Sequence, residues 1–164
     1  MTATHNGDRT EDQKMSDPAL SPQTHSIRNP REDRPVILLV DDDESLLTTL
    51  GDFLKWEFDA QVLTAVDNAI ALDHLHRSHV DLIIQDLKRP GGGGIELLQV
   101  LKADPRYKSV RVIVLSAYAG RSPEAAQEAL RGGADAVIGK PTEPGTLCQA
   151  VRDALGLSEQ SGPR

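Results

Sequence analysis

The sequence predicts an α/β fold: a doubly wound, five-stranded parallel sheet with five helices. Two observations carry the prediction. From Pro35 onward, short apolar runs alternate with longer amphipathic segments, five times in about 120 residues. Three of these runs carry continuous β-branched or leucine-rich stretches, as expected for strands buried on both faces of a parallel sheet.

The elements follow in order. Val36-Ile37-Leu38-Leu39-Val40 is the first strand. Asp43 suits the N-cap of a helix from Glu44 to Phe58, where Leu46, Leu47, Leu50, Phe53 and Leu54 recur at helical spacing. Phe53 and Trp56 are expected in the core. Gln61 to Ala65 forms the second strand, and Asp67 caps a helix carrying Ala69, Ile70, Leu72 and Leu75. Asp81 to Gln85 and Val110 to Leu115 are the third and fourth strands. Ser122-Pro123-Glu124 sets a cap, a first-turn proline and an acid in their preferred order. Ala134 to Ile138 is the fifth strand. Thr142-Glu143-Pro144 opens the last helix, Leu147 and Cys148 pack within it, and Gly156 stops it.

Composition bounds the rest. Of 164 residues, 38% are hydrophobic, enough for one domain with a core. Residues 1–34 are polar and charged, with Leu20 and Ile27 almost alone as large aliphatics, and read as a disordered leader. The domain is expected over 35–156, with a flexible tail at 157–164. No apolar run approaches the roughly 18 residues that span a membrane, and the N-terminus lacks the pattern of a secretory signal. A lone cysteine, Cys148, excludes an internal disulfide and suits a reducing, cytoplasmic compartment. The net charge of -7 argues against direct binding of nucleic acid.

In open parallel sheets, ligands bind beyond the carboxyl ends of the strands. There the sequence places Asp41-Asp42-Asp43, Asp86, Ser116 and Lys140-Pro141. Carboxylates on adjacent strand ends, on the order of 5 Å apart, repel by about 3 kcal/mol per pair at an effective dielectric of 20. Such a cluster calls for a hard divalent cation. Mg²⁺ suits it best, because it takes few protein carboxylates and leaves positions open for phosphate. A cation, a hydroxyl and an ammonium around one nucleophilic carboxylate are the parts that phosphoryl transfer needs.

Four motifs together resemble the receiver domain of bacterial two-component response regulators, single-domain chemotaxis regulators included. They are Ile37-Leu38-Leu39-Val40-Asp41-Asp42-Asp43, Asp81-Leu82-Ile83-Ile84-Gln85-Asp86-Leu87 with Pro90-Gly91, Val112-Ile113-Val114-Leu115-Ser116-Ala117, and Gly133-Ala134-Asp135-Ala136 leading to Lys140-Pro141. The resemblance implies a flavodoxin-like fold and a phosphoacceptor at Asp86. It implies Mg²⁺ on Asp42, Asp86 and the Lys88 main-chain carbonyl, with Asp41 acting through water. Ser116 and Lys140 would bind the phosphoryl oxygens, and the Lys140-Pro141 peptide would be cis. The implied donor is a sensor histidine kinase or phosphotransfer protein. Output would pass by protein contact through about Ser122 to Leu155 to a downstream protein, and the domain would be a switch rather than an enzyme.

Some positions depart from that pattern. Val137 stands where the family commonly has an aromatic switch residue. Lys88 and Tyr118 occupy positions that tune dephosphorylation, and Lys88 is expected to slow or redirect the attack of water. Gly91-Gly92-Gly93-Gly94 reads as a mobile loop. His74, His76 and His79 read as a solvated helix end, although His76 and His79 would share a face. One rival reading is a receiver fold used without phosphorylation, purely for interaction. Another is a haloacid-dehalogenase-type phosphatase with Asp41 as nucleophile and Asp43 as acid/base, which leaves Asp86 without a role.

Overall fold

The computed structural model describes residues 34–89, 93–117 and 123–158. The leader through residue 33, the tail from 159, Pro90, Gly91, Gly92, Tyr118 and Ser122 lie outside the described residues. Chain order is β1 (Val36–Val40), α1 (Glu44–Phe58), β2 (Gln61–Ala65), α2 (Asn68–Arg77), β3 (Leu82–Asp86), α3 (Gly94–Ala103), a short 3₁₀ turn (Pro105–Tyr107), β4 (Arg111–Ser116), α4 (Pro123–Arg131), β5 (Ala136–Gly139) and α5 (Pro144–Leu155). All pairings are parallel, in the order β2-β1-β3-β4-β5.

The continuous apolar runs fall on the central strands, whose residues are almost all buried, whereas edge strand β2 is exposed at Gln61 and Thr64 and half-buried at Val62 and Leu63. Strand side chains alternate between two cores. Leu38, Val40, Ile83, Val112 and Val114 meet Leu75 of α2, Leu97 of α3 and Ala129 of α4. Ile37, Leu39, Ile84, Ile113 and Leu115 meet Leu47 and Leu54 of α1 and Leu147 and Val151 of α5. Helices thus cover both faces, and the strand order reverses between β1 and β3. A ligand crevice is expected at that reversal.

Caps form largely where the sequence places them. Asp43 Oδ1 accepts from the N–H of Ser45 (3.0 Å) and Leu46 (3.1 Å). Asp67 Oδ1 accepts from Ile70 N–H (2.8 Å), and Gly156 closes α5 at φ 66°. Strands β3 and β4 begin and end one residue later than expected, so Asp86 and Ser116 are their last residues; β5 is shifted too, to Ala136–Gly139. Asp81 instead accepts the Val36 N–H at 2.8 Å.

Three expectations need correction. Trp56 is not core: it is 68% exposed. The inner face of α1 is Leu47, Gly51, Leu54 and Phe58, and two residues beyond Leu54 turns a side chain about 200° away, onto the solvent side. His76 and His79 do not share a helix face, because α2 ends at Arg77 and His79 pairs with Asp81 at 2.9 Å. Gly93 and Gly94 do not belong to a mobile loop: Gly93 is the N-cap of α3 and Gly94 its buried first residue.

Candidate functional site

Asp41 follows β1 directly, and its main-chain N–H donates to Ala65 O at the end of β2 (3.1 Å). Its Oδ1 accepts from Asp43 N–H at 2.9 Å. Asp86 repeats this turn at the end of β3, where Oδ2 accepts from Lys88 N–H at 3.0 Å. The second oxygen of each carboxylate meets one ammonium. Lys140 Nζ lies 2.7 Å from Asp41 Oδ2 and 3.0 Å from Asp86 Oδ1.

Lys140 reaches this place through sheet register. Asp86 pairs with Leu115 and Ser116 with Gly139, and Lys140 N–H donates to Ser116 O at 2.9 Å. Asp86 and Ser116 therefore end β3 and β4, and Lys140 directly follows the last residue of the neighbouring β5. The Lys140-Pro141 peptide is cis. Asp41, Asp86 and Ser116 are buried. Burial by itself lowers the Lys140 pKa, but the hydrogen bonds it donates to Asp41 and Asp86, with the charges of both acids, outweigh this and hold the ammonium above its ordinary range.

Of the three leading acids, Asp41 joins Asp86 around Lys140, whereas Asp42 is exposed and Asp43 caps α1. Lys88 is exposed beside Asp86. Val137 is half-buried against the core beneath α2, α3 and α4.

A divalent cation suits the donor chemistry of this edge, since Asp41, Asp42, Asp86 and the Lys88 carbonyl all offer hard oxygens. Among the described residues no three His, Cys, Asp or Glu side chains are already gathered as a cation site. Lys140 spans the two buried carboxylates, so an ion here would share them with it.

The site also holds a residue that sequence reasoning passed over. Arg89 is buried, and its Nη1 donates to Asp86 O (2.6 Å) and, at the longer distance of 3.4 Å, to Val40 O. Its Nη2 donates to Asn68 Oδ1, while Asn68 Nδ2 donates to Gly93 O at 3.3 Å. Arginine is ordinarily solvated, so nothing in hydropathy marks this one. The available signal was its place, three residues after a strand-end acid. Gln85 is buried too, its Nε2 donating to Gly94 O at 2.9 Å.

A sheet that reverses between β1 and β3, with a buried acid on each side of the reversal and one lysine across both, defines a receiver-type signalling domain. The chain belongs to the response regulator receiver domain family, which it matches over residues 37–152. It is 37% identical over 132 residues to response regulator protein FleR of Pseudomonas aeruginosa, covering 77% of this chain and 27% of that protein. It is 34% identical over 98 residues to the chemotaxis protein CheY of the same organism, covering 58% of this chain and 79% of that one. The chain spans only 27% of FleR and 53% of the response regulator Rre1 of Synechocystis. Among solved structures it is similar to the chemotaxis response regulator CheY4 of Vibrio cholerae, at 29% identity and a TM-score of 0.66, with 74% of this chain and 99% of that one covered. A CheY-like receiver domain protein from Methanospirillum hungatei gives 30% identity and a TM-score of 0.66, over 75% and 94% of the two chains.

Proposed function

We propose that this receiver domain accepts a phosphoryl group on the side chain of Asp86, in a Mg²⁺-dependent reaction, from the phosphohistidine of a sensor kinase or phosphotransfer protein. The observation that carries the reading is the Lys140 ammonium held against both Asp86 and Asp41. An Asp86 carboxylate oxygen attacks phosphorus, the P–N bond to the donor breaks, and the electron pair leaves on the imidazole nitrogen. Lys140 sits 3.0 Å from Asp86 Oδ1, near enough to neutralise charge on the transferred oxygens, and Ser116 ends the adjacent strand. Mg²⁺ on Asp42, Asp86 and the Lys88 carbonyl, with Asp41 acting through water, would add positive charge against the same oxygens.

The domain is itself the species modified, so it acts as a switch and not as an enzyme. Its output is a protein contact with a downstream partner, in the cytoplasm. No helix among the described residues is long and apolar enough to cross a membrane. The phosphatase reading has no support in the geometry, since the Asp43 carboxylate is engaged as a helix cap. Val137 favours the other rival, an interaction module that works without phosphorylation.

Intact mass after incubation with acetyl phosphate and Mg²⁺ tests this. The expected gain is one phosphoryl, about 80 Da, which requires Mg²⁺ and is absent in Asp86→Asn. Loss in Asp41→Asn alone, with turnover of the donor, would favour the phosphatase. No gain from acetyl phosphate or from a histidine kinase would leave the interaction module.

A further inference from the structure

Arg89 places a second cation, this one buried, at the acidic edge, and among the described residues no carboxylate pairs with it directly. Its acceptors (Val40 O, Asp86 O and Asn68 Oδ1) are all uncharged, and its Nε is buried without a hydrogen-bond partner. The field around it is acidic: Asp86, Asp41, Asp42 and Glu96 all act on the guanidinium. Desolvation lowers its pKa and these acids oppose the shift, but a guanidinium stays protonated at any working pH.

We propose that Arg89 is a built-in counter-charge that weakens divalent-cation binding to the free domain and favours the domain once Asp86 carries a phosphoryl group. The inference rests on the Mg²⁺ and Asp86 reading above. At the strand ends, Asp41, Asp42 and Asp86 against Lys140 alone leave two net negative charges; Arg89 reduces this to one. A cation entering the free site is therefore held less tightly than the carboxylates alone would hold it. Phosphorylation reverses the balance, because the Asp86 monoanion becomes an acyl phosphate that approaches a dianion. The same guanidinium then faces more negative charge than before. Its hydrogen bonds fix where this charge sits: they join the end of β1, the end of β3 and the start of α2, the segments that flank the crevice.

Charge and hydrogen bonding can be separated by two substitutions. Arg89→Gln removes the charge and keeps an amide donor; Arg89→Lys keeps the charge and loses the planar fork. The measurement is Mg²⁺ titration of the unphosphorylated protein by calorimetry at low and high salt, with thermal unfolding to show that each variant is folded. Arg89→Gln is expected to bind Mg²⁺ about five-fold more tightly than wild type, an advantage that shrinks as salt screens the charge. Arg89→Lys should stay near wild type. Folded variants that both bind Mg²⁺ more weakly would overturn the proposal and make Arg89 only a staple for the backbone. Wild type that binds while Arg89→Gln binds no tighter would overturn it equally. No Mg²⁺ binding in wild type or either variant would remove the metal site itself, and with it both readings.

Discussion

Gly94 stands against the main chain of Asp86 so closely that a Cβ on it would lie 2.6 Å from the Asp86 carbonyl oxygen. That Cβ would also come within 3.3 Å of Gln85 Cδ. The first turn of α3 can reach the strand end only because this residue has no side chain. Gly94→Ala is therefore expected to destabilise the domain by about 1–3 kcal/mol, the usual range for overpacking. Because the clash is with the phosphoacceptor's own backbone, the rate of phosphoryl uptake should fall as well. Chemical denaturation and uptake from acetyl phosphate check the two effects.

Lys140 sits between two buried carboxylates, and its removal leaves them facing each other unpaired. Lys140→Met should cost about 2–3 kcal/mol of stability, below the full range for a buried pair because the lysine is partly exposed. The loss should be partly restored by Mg²⁺, read as a rise in Tm that EDTA removes.

The same pair gives a pH dependence. The folded-state pKa of Lys140 is raised above its ordinary 10.5. Its contribution is therefore complete below pH 10.5 and is lost as pH climbs through the folded-state value. Unfolding free energy measured from pH 8 upward should decline at the alkaline end in wild type, and less so in Lys140→Met.

Asp43 lies next to the site but works as a cap. Asp43→Ala is expected to cost about 1 kcal/mol through the exposed first turn of α1. Phosphoryl uptake by intact mass should survive. Its abolition in a folded variant would show that Asp43 takes part in the chemistry.

Lys88 is exposed immediately after the Asp86 turn, where incoming water could meet it. If it slows that attack, Lys88→Ala shortens the half-life of the phosphorylated domain. The decay of the 80 Da adduct measures this, and an unchanged half-life would refute the role.

Much of this architecture was determined by the sequence alone. Continuous apolar runs gave β1, β3 and β4 because a central parallel strand is buried on both faces, and edge strands β2 and β5 could be read beside them. Asp43, Asp67 and Gly156 marked helix ends because capping is settled within a few residues. Strand ends gave Asp41, Asp86, Ser116 and Lys140, since the topology of the fold class brings those positions to one edge.

Tertiary structure decided what depends on distant partners. Which acids share Lys140 is a matter of register across β1, β3, β4 and β5, and this selected Asp41 and Asp86 over the exposed Asp42. Trp56 is exposed because the rotation of α1 against the sheet, set by Leu47, Leu54 and Phe58, outweighs the hydrophobicity of one side chain. Gly93 and Gly94 became a helix start through the close approach of α3 to Asp86. Arg89 is buried because carbonyls and an amide from three separate segments converge on it, and no local pattern in a chain records such convergence.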